Sequence, residues 1–338
     1  MAQLTYFQAI DMTEVPTWTG EFVVTEPTVF GVQGQSNAAV YSGAFQYSDD
    51  GVISGVITSY DLFRDATLEA QVTGISFDAT VVQQLLSQGD HAPIQAAALE
   101  GNDVIRGSFE ADQLIGLDGD DLIYGLSGDD TLLGGAGSDT LVGGPGNDTL
   151  IGGDGLDFAQ FAGTVDQYSA SRDEDGVLQI NDAIAVSRDG NNALEGIERL
   201  RFADGDLALD IDGVAGEAYR IYKAAFNRQP DAPGLGFWID KMDGGATVAE
   251  VSEGFLTSQE FQQLYGVSPS DEQFIDLLYE NVLQRTPDQS GYDFWISSMD
   301  EGVSRAQVLA DFSESAENVA NVAPEIANGI FYTPFMGE

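Results

Sequence analysis

Hydrophobic and polar positions follow three different periods along this chain. From Tyr41 to Tyr60 they alternate around Ser48-Asp49-Asp50-Gly51, the signature of a β-hairpin, and Glu69 to Phe77 alternates as a further strand. Asp78 is placed to cap a short helix carrying Val81, Val82, Leu85 and Leu86. Between residues 98 and 160 the period becomes nine, with an apolar residue at every eighth place: Ile105, Leu114, Ile123, Leu132, Leu141, Leu150 and Ala159. From Phe161 to Asp212 alternation returns, with turns at Asp173-Glu174-Asp175-Gly176 and Arg188-Asp189-Gly190-Asn191. Beyond that the spacing is helical: Tyr219, Tyr222 and Phe226, then Phe274, Leu278 and Val282, while Val251 with Phe255 and Val308 with Phe312 are i,i+4 pairs.

The nine-residue units begin at Ala98, Gly107, Gly116, Gly125, Gly134, Gly143 and Gly152, without an insertion. Their sixth places are Asp103, Asp112, Asp121, Asp130, Asp139, Asp148 and Asp157, and their fourth places are glycine except at Glu110. Each unit therefore reads as a tight turn followed by a short strand. The copies GGAGSDTLV and GGPGNDTLI resemble the calcium-binding nonapeptide of the RTX (repeats-in-toxin) family, which forms parallel β-structure.

That resemblance implies a β-roll in which two nonapeptides make one coil, so that a turn meets the turn two units further on. The turns at Ala98, Gly116, Gly134 and Gly152 would then line one edge, and those at Gly107, Gly125 and Gly143 the other, giving at most five sandwiched Ca²⁺ sites. Calcium takes six to eight hard oxygen ligands and tolerates flexible geometry. The aspartates would supply carboxylates, and the turn glycines Gly116, Gly119, Gly125, Gly128, Gly134, Gly137, Gly143, Gly146 and Gly152 would supply carbonyls. The first two units depart from the pattern, with Ala98 replacing the opening glycine and Glu110 the fourth-place one. Further sites at Asp189, Asp204 or Asp206 are a weaker expectation. One apolar side chain per nine residues, set among aligned carboxylates, predicts that binding of metal and folding coincide.

The expected class is thus multidomain, mainly β with one α domain. A small β-rich domain at 1–97, drawn as a sandwich, precedes the calcium-binding β-roll at 98–160 and a β-hairpin cap at 161–213. A duplicated all-α bundle of six to eight helices follows at 214–325, then a tail at 326–338.

The duplication is explicit. From Tyr222 to Glu260, 16 of 39 places recur 57 residues later, among them Arg228 with Arg285, Pro230 with Pro287, Asp231 with Asp288, Gly234 with Gly291, and Phe237-Trp238 with Phe294-Trp295. Asp231 and Asp288 are expected as helix caps, the Phe-Trp pairs as inward-facing core, and Arg228 and Arg285 as partners of nearby carboxylates. The Arg-x-Pro-Asp-x-x-Gly-x-x-Phe-Trp signature resembles a family of helical domains of unknown function found beside RTX repeats in secreted bacterial proteins.

Charge restricts the partners. Against 56 acidic residues stand 12 basic ones, a formal charge of −44, which excludes nucleic acid and anionic membrane as natural partners. Cysteine is absent, so no disulfide holds the fold. No apolar run approaches the ~18 residues of a membrane-spanning helix, and the N-terminus lacks the basic start and apolar core of a secretory signal peptide. The RTX resemblance implies export by type I secretion machinery through an uncleaved C-terminal signal, for which the apolar tail EIANGIFYTPFMGE is a candidate.

No catalytic constellation is legible. His91 is the single histidine, and neither a zinc-protease, serine-hydrolase, P-loop nor Rossmann motif occurs. The expectation is a non-enzymatic, calcium-ordered extracellular protein that self-associates in a surface layer, matrix or filament. Its alternatives are an adhesin that grips a glycan or cell-surface polysaccharide, and the secretion cassette of a small hydrolase.

Overall fold

The structure is a computed structural model that describes residues 101–183 and 188–335, together with the backbone of six strands within the first 78 residues. The chain falls into two compact units, Met1–Ala203 and Asp204–Glu338.

In the first unit, β2 (Glu21–Glu26), β3 (Val29–Gln33), β4 (Asn37–Tyr47), β5 (Ile53–Arg64) and β6 (Thr67–Asp78) pair antiparallel in sequence order. The expected hairpin is β4 with β5, where Tyr41 lies opposite Tyr60. All six described strands share one sheet, where two layers had been expected, because β1 (Gln3–Tyr6) inserts between β6 and the first strand of the repeats. The helix expected after Asp78, and His91, lie outside the described residues.

The repeats then wind as a parallel solenoid. Strands β7 (Val104–Arg106), β9 (Leu122–Tyr124), β11 (Thr140–Val142) and β13 (Phe158–Gln160) stack on one side. On the other, β8 (Gln113–Asp118), β10 (Thr131–Ala136) and β12 (Thr149–Asp154) do the same. Register partners are eighteen residues apart, as in Leu132 with Leu114 and Leu150, so one coil is two nonapeptides. The eighth-place row is the interior: Ile105, Leu114, Ile123, Leu132, Leu141, Leu150 and Ala159 are at most 1 % exposed.

After β13 the chain leaves the coil for an antiparallel hairpin, β14 (Tyr168–Arg172) with β15 (Leu178–Asp182), turning at Asp173–Val177. It then rejoins it. Strand β16 (Asn191–Glu195) pairs antiparallel with β15 and parallel with β12, and β17 (Arg199–Phe202) pairs parallel with β13. Leu194 and Leu200 extend the eighth-place rows, both buried. The cap is therefore an excursion, sealed by the cluster of Phe161, Tyr168 and Phe202, followed by a further coil.

The second unit holds the antiparallel pair β18 (Gly205–Ala208) with β19 (Ile330–Tyr332) and, among its described residues, eight helices. The first 57-residue copy contributes α1 (Val214–Phe226), α2 (Ala232–Asp243), α3 (Val248–Leu256) and α4 (Gln259–Tyr265). The second contributes α5 (Asp271–Asn281), α6 (Gln289–Asp300), α7 (Arg305–Ser313) and α8 (Ala316–Ile326). Asp231 and Asp288 cap α2 and α6 by accepting from the N–H of Gly234 and Gly291, each at 2.9 Å. Arg228 pairs with Glu260 at 2.6 Å and Arg285 with Glu317 at 2.8 Å, the same interaction in both copies.

Tyr219, Tyr222, Phe226, Val251, Phe255, Phe274, Leu278, Val308 and Phe312 form the core, with Trp238 and Trp295 packed against it. One expectation fails. Phe294 is 60 % exposed, because neighbours on a helix point about 100° apart and Trp295 takes the inward direction. Its counterpart Phe237 is covered edge-on by Phe335. The tail thus packs on this unit through β19, with Ile330 and Tyr332 buried.

Candidate metal centre

Burying an ionised carboxylate is costly unless it finds a counter-charge or donors. The sixth-place aspartates are nevertheless all buried, none more than 3 % exposed. In the five from Asp121 to Asp157 one oxygen is accounted for by the coil register. The N–H of Asp103 donates to Oδ1 of Asp121 at 2.7 Å, Asp112 to Asp130 at 2.8 Å, Asp121 to Asp139 at 2.8 Å, Asp130 to Asp148 at 3.0 Å and Asp139 to Asp157 at 2.8 Å. Each aspartate thus reaches back one coil.

The other oxygen of these five, Oδ2 of Asp121, Asp130, Asp139, Asp148 and Asp157, is buried with no hydrogen-bond partner among the described residues. What surrounds it is shown by the first-place glycines. A Cβ on Gly116 would fall on Asp121 Oδ2 and lie 2.5 Å from the carbonyl oxygen of Gly134; one on Gly125 would fall on Asp130 Oδ2 and lie 2.7 Å from that of Gly143. On Gly134 it would meet Asp139 Oδ2 and, at 2.6 Å, the carbonyl of Gly152, and on Gly143 it would meet Asp148 Oδ2. A carboxylate oxygen and a carbonyl oxygen from the next coil therefore converge where only glycine leaves room.

The fourth-place glycines Gly119, Gly128 and Gly137 have φ between +125° and +130°, a region that a side chain disfavours. They and Gly146 stack on the fourth-place carbonyls one coil back, those of Gly101, Glu110, Gly119 and Gly128. The expected residues are thus brought together along two edges, one coil apart.

The electrostatics favour a cation. Burial, reinforced by neighbouring carboxylates and opposed by the backbone hydrogen bond, pushes Asp121 and Asp148 up to about 7 and Asp130 up to about 6. Burial is also the leading cause that raises Asp139, and that lifts Asp157 to about 6. Without positive charge these groups would take up protons near neutrality. Among the described residues no three acidic or histidine side chains gather, so the donors at each turn are one carboxylate and backbone carbonyls. An all-oxygen set of that kind fits a hard cation of calcium's type, not zinc.

The first two turns differ. Asp112 Oδ2 accepts from the N–H of Ser108 at 2.6 Å and from its hydroxyl at 2.9 Å, and the turn of Asp103 opens at Ala98, outside the described residues. Asp189, the weaker expectation, accepts at Oδ2 from the N–H of Ala162 and from the Tyr168 hydroxyl. Asp204 and Asp206 belong to the other unit.

Two features of the turn lay outside the sequence reading. Fifth-place side chains form a second ladder of opposite sense, in which Asn102, Asp120 and Asp129 accept from the N–H of Asp120, Ser138 and Asn147 at 2.8–2.9 Å. The signal was the run of Asn, Asp and Ser at that place. From the third unit on, second places take positive φ, including Leu117 at 82° and Leu126 at 80°, which explains why the best copies begin Gly-Gly.

The profile of the RTX calcium-binding nonapeptide repeat, four copies long, matches residues 98–132 and 124–159. The chain carries RTX calcium-binding repeats. A second profile, a domain of unknown function (DUF4214), matches 218–265 and 252–322, so the helical unit after the RTX repeats is of that kind. No curated protein matches the chain. Among solved structures, the AlgE6R3 subunit from the Azotobacter vinelandii mannuronan C5-epimerase, solved in solution, is 26% identical, over 29% of this chain and 72% of that one, with a TM-score of 0.16. No helix among the described residues is long and apolar enough to cross a membrane.

Proposed function

We propose that this is a secreted, non-enzymatic structural protein, exported by a type I route, that folds in extracellular calcium and self-assembles there into a surface layer, matrix or filament. The observation that carries the reading is the row of buried, unpartnered Oδ2 atoms from Asp121 to Asp157, which at Asp121, Asp130, Asp139 and Asp157 lie in turns that the next coil closes with a carbonyl. Bound there, Ca²⁺ would supply the positive charge that the roll itself lacks: residues 98–160 hold thirteen acidic side chains and one basic, Arg106. Asp121, Asp130, Asp139 and Asp148, with the carbonyls of Gly134, Gly143 and Gly152, would hold it. The chain's formal charge of −44 would keep molecules apart until divalent ions screen or bridge them, so assembly and folding would share a trigger.

Light scattering with electron microscopy tests this as purified protein passes from chelator to ~10 mM calcium, above the weak extracellular site range. Ordered sheets or filaments that dissolve in chelator are expected; a monomer that only compacts would refute assembly. A second reading, an adhesin, is favoured by a cavity of about 260 Å³ in the helical unit, lined by Lys223, Asn281, Gln284, Asn318, Asn321 and Glu325. Such amides and charges suit a hydroxyl-rich ligand, and glycan-array binding by the monomer is its measurement.

A further inference from the structure

The seven nonapeptides give five stacked pairs of turns, and the turn at Gly152 closes the last of them. Its own aspartate should then have no use for a cation. Yet Asp157 is fully buried, and its Oδ2 is as unpartnered as those of the central turns. A Cβ on Gly152 would lie 2.6 Å from Asp157 Oδ2 and fall on the carbonyl oxygen of Gly196, a residue outside the repeats. This is the convergence seen at Gly116, Gly125 and Gly134, built from a segment that lacks the nonapeptide pattern.

The rest of the coil register is kept there as well. The N–H of Asp157 donates to Glu198 Oε2 at 2.9 Å, as the N–H of Asp139 donates to Asp157 Oδ1. The N–H of Arg199 reaches the Asp157 carbonyl at 3.0 Å, as that of Phe158 reaches the Asp139 carbonyl at 2.8 Å. Parallel pairing places Phe158 against Arg199 and Ala159 against Leu200. On the other edge the N–H of Asp148 donates to Asn192 Oδ1 at 2.8 Å, and a Cβ on Gly190 would fall on the Gly146 carbonyl as one on Gly146 would on that of Gly128.

The two edges rejoin the coil at different lengths. Asn192 lies 44 residues after Asp148, but Glu198 lies 41 after Asp157, so the Gly196-Ile197-Glu198 turn is three residues shorter (44 − 41) than its neighbour. A shorter turn holds its backbone further back. Glutamate, one methylene longer than aspartate, spans the difference and still delivers its carboxylate to the Asp157 N–H.

We propose that Gly196 and Glu198 complete an additional divalent-cation site with Asp157, beyond those that stacking of the nonapeptides can provide. Asp157 Oδ2 and the Gly196 carbonyl are its ligands, and Glu198 is a positioning residue that holds the short turn in register and adds negative charge beside it. The proposal rests on the calcium reading of the roll.

The test is calcium stoichiometry of the full chain by native mass spectrometry, with isothermal titration for affinities. Asp157→Asn keeps an Oδ1 for the Asp139 N–H but loses the ligand charge, and is expected to lower the count by one, as Asp139→Asn does. Glu198→Gln preserves the hydrogen bond and lies outside the repeats, and should weaken one site about tenfold through loss of a nearby charge. Wild-type stoichiometry in Asp157→Asn, or unchanged affinities in Glu198→Gln, would overturn the proposal while leaving the central sites standing. If wild-type protein takes up no calcium, it is the broader reading that fails.

Discussion

The roll and the helical unit meet the same acidic excess in opposite ways. In the helical unit five carboxylates pair with a cation of the same unit: Glu314 takes Arg220 at 2.6 Å, Asp271 takes Arg305 at 2.5 Å, Glu260 and Glu317 take Arg228 and Arg285, and Glu325 takes Lys223. Others cap helices, and a broad aromatic core lies beneath. In the roll the acids are more deeply buried, the interior is a narrow double row of eighth-place side chains, and Oδ2 of five aspartates has no hydrogen-bond partner among the described residues. The helical unit pairs its partly buried carboxylates internally and leaves the rest to solvent, whereas the buried carboxylates of the roll would depend on cations from solution. Stability of the first is then a property of the chain, and of the second a property of the medium.

Removing calcium should separate the two most widely. At free calcium a hundredfold above a site's dissociation constant, each site contributes about 2.7 kcal/mol, so several together exceed the stability of an ordinary domain. Circular dichroism in chelator should lose the roll's β signal and keep the helical one, and proteolysis should cut within 101–203 first. Concerted loss of both signals would break the contrast. Next in size, replacing Asp130, Asp139 and Asp148 together with alanine should abolish calcium-induced ordering and leave the helices folded; an unchanged calcium response in circular dichroism would refute those aspartates as ligands.

Phe312, buried against Tyr279 and Trp295, should show the converse behaviour. Its truncation to alanine should cost about 3–5 kcal/mol in the helical transition, and the same with or without calcium. A calcium-dependent cost would mean that the units share their stability.

A smaller effect is expected of pH in chelator. Folded-state values near 6 to 7 for Asp121, Asp130, Asp148 and Asp157 exceed the ordinary 3.8, so the folded roll binds more protons than the unfolded chain between these limits. Stability of the metal-free roll should therefore rise as pH falls from 8 toward 5, while calcium affinity falls. Metal-free β signal that instead grows with pH would reverse the sign and remove burial as the cause. Smallest is Leu117→Gly, which relieves a positive φ worth about 1 kcal/mol and should raise the melting temperature of the calcium-loaded roll; a drop would show that the leucine's packing outweighs its strain.

How much of this was legible depends on how each feature is written. The interior row and the sixth-place aspartates are written as residue type at fixed spacing, and the helix starts at Asp231 and Asp288 as local capping chemistry; both kinds of signal survive in one dimension. The last coil is not written that way. A hairpin inserted after Gln160 breaks the count, and Asn192 and Glu198 stand where the pattern requires aspartate, so only three-dimensional register reveals them. Phe294 was misread for another reason: the duplicated Phe-Trp pair looks equivalent in both copies, but the tail that covers Phe237 has no second copy to cover Phe294.

The hydrogen-bonded coil register has a further consequence, for ion choice. Parallel strands sit ~4.8 Å apart whatever occupies the turns, so the roll's pitch acts as a ruler laid along each row of cations. Magnesium, which demands oxygens at about 2.0–2.1 Å in strict octahedra, would shorten one turn only by stretching the ladder beside it, whereas calcium's longer and more pliant bonds would tolerate a fixed spacing. Selectivity would then be a mechanical property of the backbone, accumulated coil by coil.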